Sequence, residues 1–299
     1  LALVSKRDGG SNAKVFLIDT SSNNKLTTID DSAASFSPIG WQDHYFMYTV
    51  SRSSVPSWQS GAVSIESYNA DTGKSVTLVN SQATGTSNSD AEYQSIWNTV
   101  IVGGKLAYAT TWYQYPGYLT VSGKQDQLVM IAPDGTGQKV ISSVDAATSY
   151  FGTLAKNQPQ EAIVQVSSVS GSTSTFYKLE ADGTYTQTTD SKLTSSLSYP
   201  TYLTSPGGKQ TFWTEERDGK NVLFVGDANA QSPKTVATLS TDYTAYGWYT
   251  NNYLLVSYKG SELYILPASG LKDGQQPLKV TDYYKPDYGL NGYGYGGGL

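Results

Sequence analysis

Few residues in this chain are able to do chemistry, and their spacing speaks against most of it. There is one histidine, His44, within Trp41-Gln42-Asp43-His44-Tyr45. A Ser-His-Asp triad would have to use it, because the imidazole is the base that takes the serine proton. No Gly-x-Ser-x-Gly elbow is present, and the residues around His44 read as a turn between the first and second strands of a β unit. A surface or capping role follows for it. There is no cysteine, which removes thiolate nucleophiles, disulfides and Cys-ligated metals. Metal sites built on several histidines are excluded too. Calcium would use carboxylates and carbonyls. However, Asp71, Asp134, Asp182 and Asp218 each precede Gly or Thr-Gly in a turn, where bonding to nearby backbone accounts for them. No loop has EF-hand spacing. The expectation is no metal and no cofactor.

Carboxylate pairs fare little better. Glu215-Glu216 and Asp30-Asp31 are adjacent, so in a strand their side chains point to opposite faces. A glycosidase needs two carboxyl groups about 5–10 Å apart. Only acids brought together from separate units would satisfy that. A peptidase with a gating domain of this kind would also need a hydrolase domain, for which the chain has no room.

What remains is aromatic. Three long connections, Ser51–Gly61, Ser81–Gln94 and Tyr113–Asp126, carry Trp58, Tyr93, Tyr113, Tyr115 and Tyr118, with Trp97 and Trp112 close by in sequence. Exposed Tyr and Trp give large amphipathic contact area, suited to partner surfaces or to sugar rings. The competing reading is that they pack the loops onto the strands, since aromatics are buried on average. The candidate ligand-binding residues are Trp58, Tyr93, Trp112, Tyr113, Tyr115 and Tyr118, and no catalytic residue is assigned.

The elements that hold these loops are short strands. The chain has 299 residues with 24 Tyr, 6 Trp and 7 Phe, which suit pleated, half-buried surfaces. Its 29 Gly recur at the short intervals that many tight turns require. No stretch shows helical periodicity. Leu128-Val129-Met130-Ile131 and Val222-Leu223-Phe224-Val225 are short apolar runs bounded by turn residues, the pattern of strands covered on both faces.

One unit recurs: an apolar run, a turn of small, Asp or Gly residues, then a second short strand. It appears at Val15–Thr20, Ser64–Gly73, Leu128–Gly135, Phe176–Gly183, Leu223–Asn229 and Leu263–Gly270. Asp-Gly and similar pairs between strands mark hairpins. Further strand-like runs lie between them, at Tyr45–Tyr48, Leu106–Ala109, Ala162–Gln165, Thr211–Thr214 and Tyr253–Val256. Units of four short strands, repeated, fit a β-propeller.

Ser205-Pro206-Gly207-Gly208-Lys209 is followed by Phe212, Arg217-Asp218-Gly219, Leu223-Phe224-Val225 and Asp227. This resembles the TolB-type propeller repeat, with Gly207 where that family usually has Asp. Ser5–Asp19 resembles the second half of the same repeat. The resemblance implies an all-β, six-bladed β-propeller with four-stranded blades, and it does not imply an activity. The expected blades are 1–31 with 286–295, 32–80, 81–143, 144–189, 190–240 and 241–285, forming a single domain over 1–299. The first blade lacks its innermost strand, and the segment from Asp287 is expected to supply it.

The net charge is −5 and charged residues make up 15 %. No basic stripe marks a nucleic-acid partner. No apolar run reaches the ~20 residues of a membrane helix. The start at Leu1 reads as a strand in progress, so residues upstream are expected, with room there for an anchor. Low charge and abundant Ser, Thr, Asn, Gln and Tyr suggest a periplasmic, cell-surface or secreted location. The functional expectation is a non-catalytic propeller binding a protein partner or polysaccharide through the long loops of blades two and three. The alternatives are a carbohydrate-active enzyme with carboxylates near the axis, and a structural domain of a larger anchored protein.

Overall fold

In the computed structural model, the described residues are 2–5, 14–19, 25–30, 35–51, 63–84, 91–114, 121–190, 193, 203–205, 207–260 and 262–280. They form antiparallel strands throughout. The first sheet contains β1 (Ala2–Ser5), β2 (Lys14–Asp19) and β3 (Lys25–Asp30). The second contains β4 (Ser35–Gln42), β5 (Tyr45–Ser51), β6 (Ser64–Asn69) and β7 (Lys74–Asn80). The third contains β8 (Ala83–Thr84), β9 (Glu92–Val102), β10 (Lys105–Gln114), β11 (Gln125–Ile131) and β12 (Lys139–Asp145). The fourth contains β13 (Ser149–Gln158), β14 (Glu161–Ser168), β15 (Ser174–Glu180) and β16 (Tyr185–Thr188). The fifth contains β17 (Leu203–Thr204), β18 (Gln210–Arg217), β19 (Lys220–Asp227) and β20 (Lys234–Ser240). The sixth contains β21 (Tyr243–Thr250), β22 (Tyr253–Tyr258), β23 (Glu262–Pro267) and β24 (Leu278–Lys279).

This is an all-β propeller built from four-stranded antiparallel blades, but the expected count of six needs correcting. Five sheets reach four or more strands, while β1–β3 stops at three. The sequence signal behind the count was the hairpin, and a hairpin certifies two strands rather than a complete blade. The closing strand expected from Asp287 onward lies outside the described residues. Among the described residues, no helix is long and apolar enough to cross a membrane.

The apolar runs are explained by what covers them. In β11, Leu128 and Met130 enter the core shared with the fourth sheet, beside Phe151, Leu154 and Val164. Val129 and Ile131 enter the core shared with the second sheet, beside Met47, Ile65 and Leu78. Side chains alternate across a strand, so a strand sandwiched between two blades must be apolar at every position. β10 divides the same way, with Leu106 and Tyr108 on one side and Ala107 and Ala109 on the other. The small residues face the side where Phe151 fills the space. A third core joins the fifth and sixth sheets through Phe212, Leu223, Leu254 and Val256.

Turn chemistry agrees with the sequence at several hairpins. Asp134 Oδ1 accepts from Thr136 N at 2.9 Å and Asp182 Oδ1 from Thr184 N at 2.7 Å. Asp218 and Gly219 take φ of 50° and 69°, the pair of positive values a tight hairpin turn needs. At Asp71 the structure differs. Asn69 caps that turn, accepting from Asp71 N and Thr72 N, and the Asp71 carboxylate lies 3.7 Å from His44 Nδ1. Two exposed groups at this distance make a weak contact.

Candidate functional site

Side chains and turns converge at two places: the far end of the third sheet, where the sequence reading expected the site, and the inner turns at the other end.

At the far end, β9 and β10 stay paired through Trp112↔Gln94, Tyr113↔Tyr93 and Gln114↔Glu92, with a bulge at Ala109/Thr110. The β10–β11 pairing ends at Ala109↔Leu128. The hairpin therefore runs five residues past it, about 16 Å at the strand rise. Side chains bridge the gap that opens. Thr110 Oγ1 accepts from Gln127 N at 2.9 Å, and Asp126 Oδ1 accepts from Trp112 N at 2.8 Å.

The rings of Tyr93 and Tyr113 stack across this end with centroids 5.5 Å apart. They face each other directly in the ladder, the arrangement in which cross-strand rings interact best. Trp112 packs with Val121 and Ala146, and Lys124 Nζ sits 4.4 Å over its ring. Lys124 also lies 3.6 Å from Glu92, which accepts from Thr84 Oγ1. Thus the short strand β8, unforeseen from the sequence, helps hold the acid that holds the lysine.

Of the six expected binding residues, the structure brings two together, Tyr93 and Tyr113, while Trp112 points to the other face of the sheet beside Val121 and Ala146. Tyr93 is half-buried, while Trp112 and Tyr113 are only 5 % and 8 % exposed. Both of these pack against the blade, Trp112 on Val121 and Ala146 and Tyr113 on Tyr93. Trp58, Tyr115 and Tyr118 lie outside the described residues.

Asp126 is what sequence reading missed. It is 1 % exposed. Burial pushes its carboxyl up to about 7, against the pull of the Trp112 N–H. Burial also raises the Tyr113 phenol, with Tyr93, Asp126 and Tyr150 adding to the effect. A signal was available: Asp126, Leu128 and Met130 alternate, and the last two are core residues.

At the opposite end the β4–β5, β9–β10, β13–β14, β17–β18 and β21–β22 turns come together. Gly103 N donates to Pro159 O at 2.9 Å, joining the turns of the third and fourth sheets. Gly207 N donates to Asn251 Oδ1 at 2.7 Å, joining the fifth and sixth. Asp43, on the second sheet's turn, has its Oδ1 4.0 Å from where a Cβ on Gly208 would sit. His44 is in that turn too, on the face opposite the projecting hairpin. A cavity of about 210 Å³ lies among these turns, lined by Gln42, Gly103, Gly104, Gln160, Thr204 and Gly208 among others. Among the described residues no group of three or more His, Asp or Glu side chains converges to hold a metal.

No family model matches the sequence, and no curated protein matches it. Among solved structures the chain is similar to TolB from Acinetobacter baumannii, at 12 % identity and a TM-score of 0.40, covering 90 % of this chain and 61 % of that one. The chain thus spans about three fifths of that protein's length. It is similar to a chain of a nidogen/laminin complex at 9 % identity and a TM-score of 0.39, covering 90 % and 89 %. It is similar to an oligogalacturonate lyase in complex with manganese at 10 % identity and a TM-score of 0.37, covering 93 % and 72 %. Similarity this weak adds nothing to the propeller that the chain's own sheets display.

Proposed function

We propose that this propeller is a non-catalytic binding domain working outside the cytoplasm. It takes a protein partner or polysaccharide at the projecting end of β9–β10, together with the long connections of the second and third sheets. The observation that carries this reading is the Tyr93–Tyr113 stack, held past the last β10–β11 pair on a strand scaffold. Binding residues belong on such rigidly supported ends. Tyr93 supplies the accessible ring, and the stack on Tyr113 fixes its position, while Trp112 anchors the other face of the same strand.

A second reading, a carbohydrate-active enzyme, draws on Asp126. A carboxyl near 7 is suited to proton donation at neutral pH. Yet its Oδ1 is engaged by Trp112 N and the residue is buried. Substrate has no access to it in this arrangement, so the binding reading comes first.

The test is a glycan array probed with the purified chain and with Tyr93→Ala, Trp58→Ala and Tyr115→Ala variants. Glycan binding that falls in the variants supports a polysaccharide ligand at this end. Binding that persists undiminished in all three would sink the assignment. No glycan binding leaves a protein partner, to be sought by cross-linking at a residue introduced in place of Tyr93.

A further inference from the structure

The cavity among the inner turns has a chemical character of its own. Its polar lining includes the side-chain amides of Gln42 and Gln160 and the backbone of glycine turns. Ile101 and Pro159 give it apolar wall. No lining side chain is charged. Neither Gln42 nor Gln160 has a side-chain hydrogen-bond partner among the described residues, so both amides are met by solvent.

The glycines explain why the amides lie where they do. Gly103 and Gly104 turn the β9–β10 hairpin with φ of 54° and 80°. A Cβ on Gly103 would come within 2.6 Å of Gln160 Oε1, and a Cβ on Gly104 within 3.5 Å of Gln42 Nε2. The two amides therefore flank one bare turn, in space that side chains would otherwise fill. Each amide offers an acceptor oxygen and two donor hydrogens. A ligand that matches them must both donate and accept without carrying charge.

We infer that this inner-turn cavity is a binding site for a neutral hydroxylated ring, a single sugar unit, distinct from the projecting aromatic end. Hydroxyls both donate and accept, which suits the two amides. The volume accommodates one such ring, below the roughly 300–1,000 Å³ of drug-sized pockets. A carboxylate would be disfavoured. It would leave water for a lining that holds no cation, and Asp43 Oδ1 lies 4.0 Å from where a Cβ on Gly208 would sit.

The experiment is saturation-transfer NMR on the full chain with glucose, galactose and N-acetylglucosamine, with glucuronate as the charged control. At least one neutral sugar binds with Kd on the order of 1 mM, the range that small-ligand efficiency sets for one ring. Replacing both amides, Gln42→Ala with Gln160→Ala, weakens it by about tenfold, as expected for two ordinary hydrogen bonds. Both side chains are at least partly exposed, so the variant folds, and an unchanged melting temperature checks that. Tyr93→Ala leaves this binding intact, which separates the site from the one proposed above. The inference is overturned if no neutral sugar gives transfer, if the double variant binds as well as the parent, or if glucuronate binds as tightly as the neutral sugars. Binding lost in Tyr93→Ala but kept in the double variant would also overturn it, while supporting the aromatic end.

Discussion

One hairpin, β9–β10, connects two very different surfaces. At its turn, Gly103 and Gly104 pass the chain between neighbours using backbone alone, and the groups around them are neutral amides. At its open end, Tyr93, Trp112 and Tyr113 fill space with rings, and a buried acid stands in for the missing ladder. At the turn end, Gly103 has no room for an added atom. The ring end depends on atoms being there. Geometry is thus set by exclusion at one end and by filling at the other, and each can be broken separately.

The largest effect is expected at the turn. In Gly103→Val the new Cβ would lie 2.0 Å from Ala181 Cβ and 3.1 Å from its Cα, at a φ of 54°. Neither the clash nor the φ can be relieved without moving the fourth sheet's outer hairpin. Urea unfolding should show a loss of about 3 kcal/mol or more. Gly104→Ala is the internal control. Its Cβ meets only the flexible end of Gln42, at 3.5 Å. About 1 kcal/mol is expected there, from φ alone. Equal losses in the two variants would show that packing against Ala181 does not set the turn.

That contrast also bears on what the sequence made legible. The Leu128–Ile131 run announced a strand covered on both faces, and both covering cores are present. The Asp-Gly pairs announced hairpins because a single dipeptide determines such a turn. Completeness of a blade has no comparable local signal, so counting hairpins gave six where five sheets reach four strands. Tyr93 and Tyr113 read as loop residues because the bulge at Ala109/Thr110 hides the continuation of their ladder. The inner-turn cavity was out of reach altogether. Gln42, Gly104, Gln160 and Gly208 come from four sheets and share no motif.

At the ring end, Asp126 gives a smaller, pH-dependent effect. Its folded-state value of about 7 stands above its ordinary 3.8. Between those limits the folded chain holds a proton that the unfolded chain releases. The resulting stabilisation is therefore whole below about pH 4 and is lost as pH rises through about 7. Asp126→Asn keeps an oxygen for the Trp112 N–H and carries no charge. It should be more stable than the parent at pH 8 by about 1–2 kcal/mol, a discounted share of the full linkage value. The gap should close toward pH 4. A gap that stays constant from pH 4 to 8, measured by thermal unfolding, would show that the Asp126 proton is not coupled to folding.

The smallest effect separates ring packing from charge at the same end. Lys124 lies over Trp112 and beside Glu92, both contacts being partly shielded from solvent. Lys124→Gln removes the cation but retains most of the stem that covers the indole. The cation–ring term and the ion pair are each worth well under 1 kcal/mol in such settings. A loss of about 0.5 kcal/mol is expected, shrinking as salt screens the charges. Lys124→Ala, which also strips the stem from the Trp112 face, should lose about 1 kcal/mol more, because covering an aromatic surface is work the methylenes do. If instead the Gln variant loses as much as the Ala variant, charge rather than packing holds the ring end. The contrast between a turn set by exclusion and an end set by filling would then give way to electrostatics at the open end.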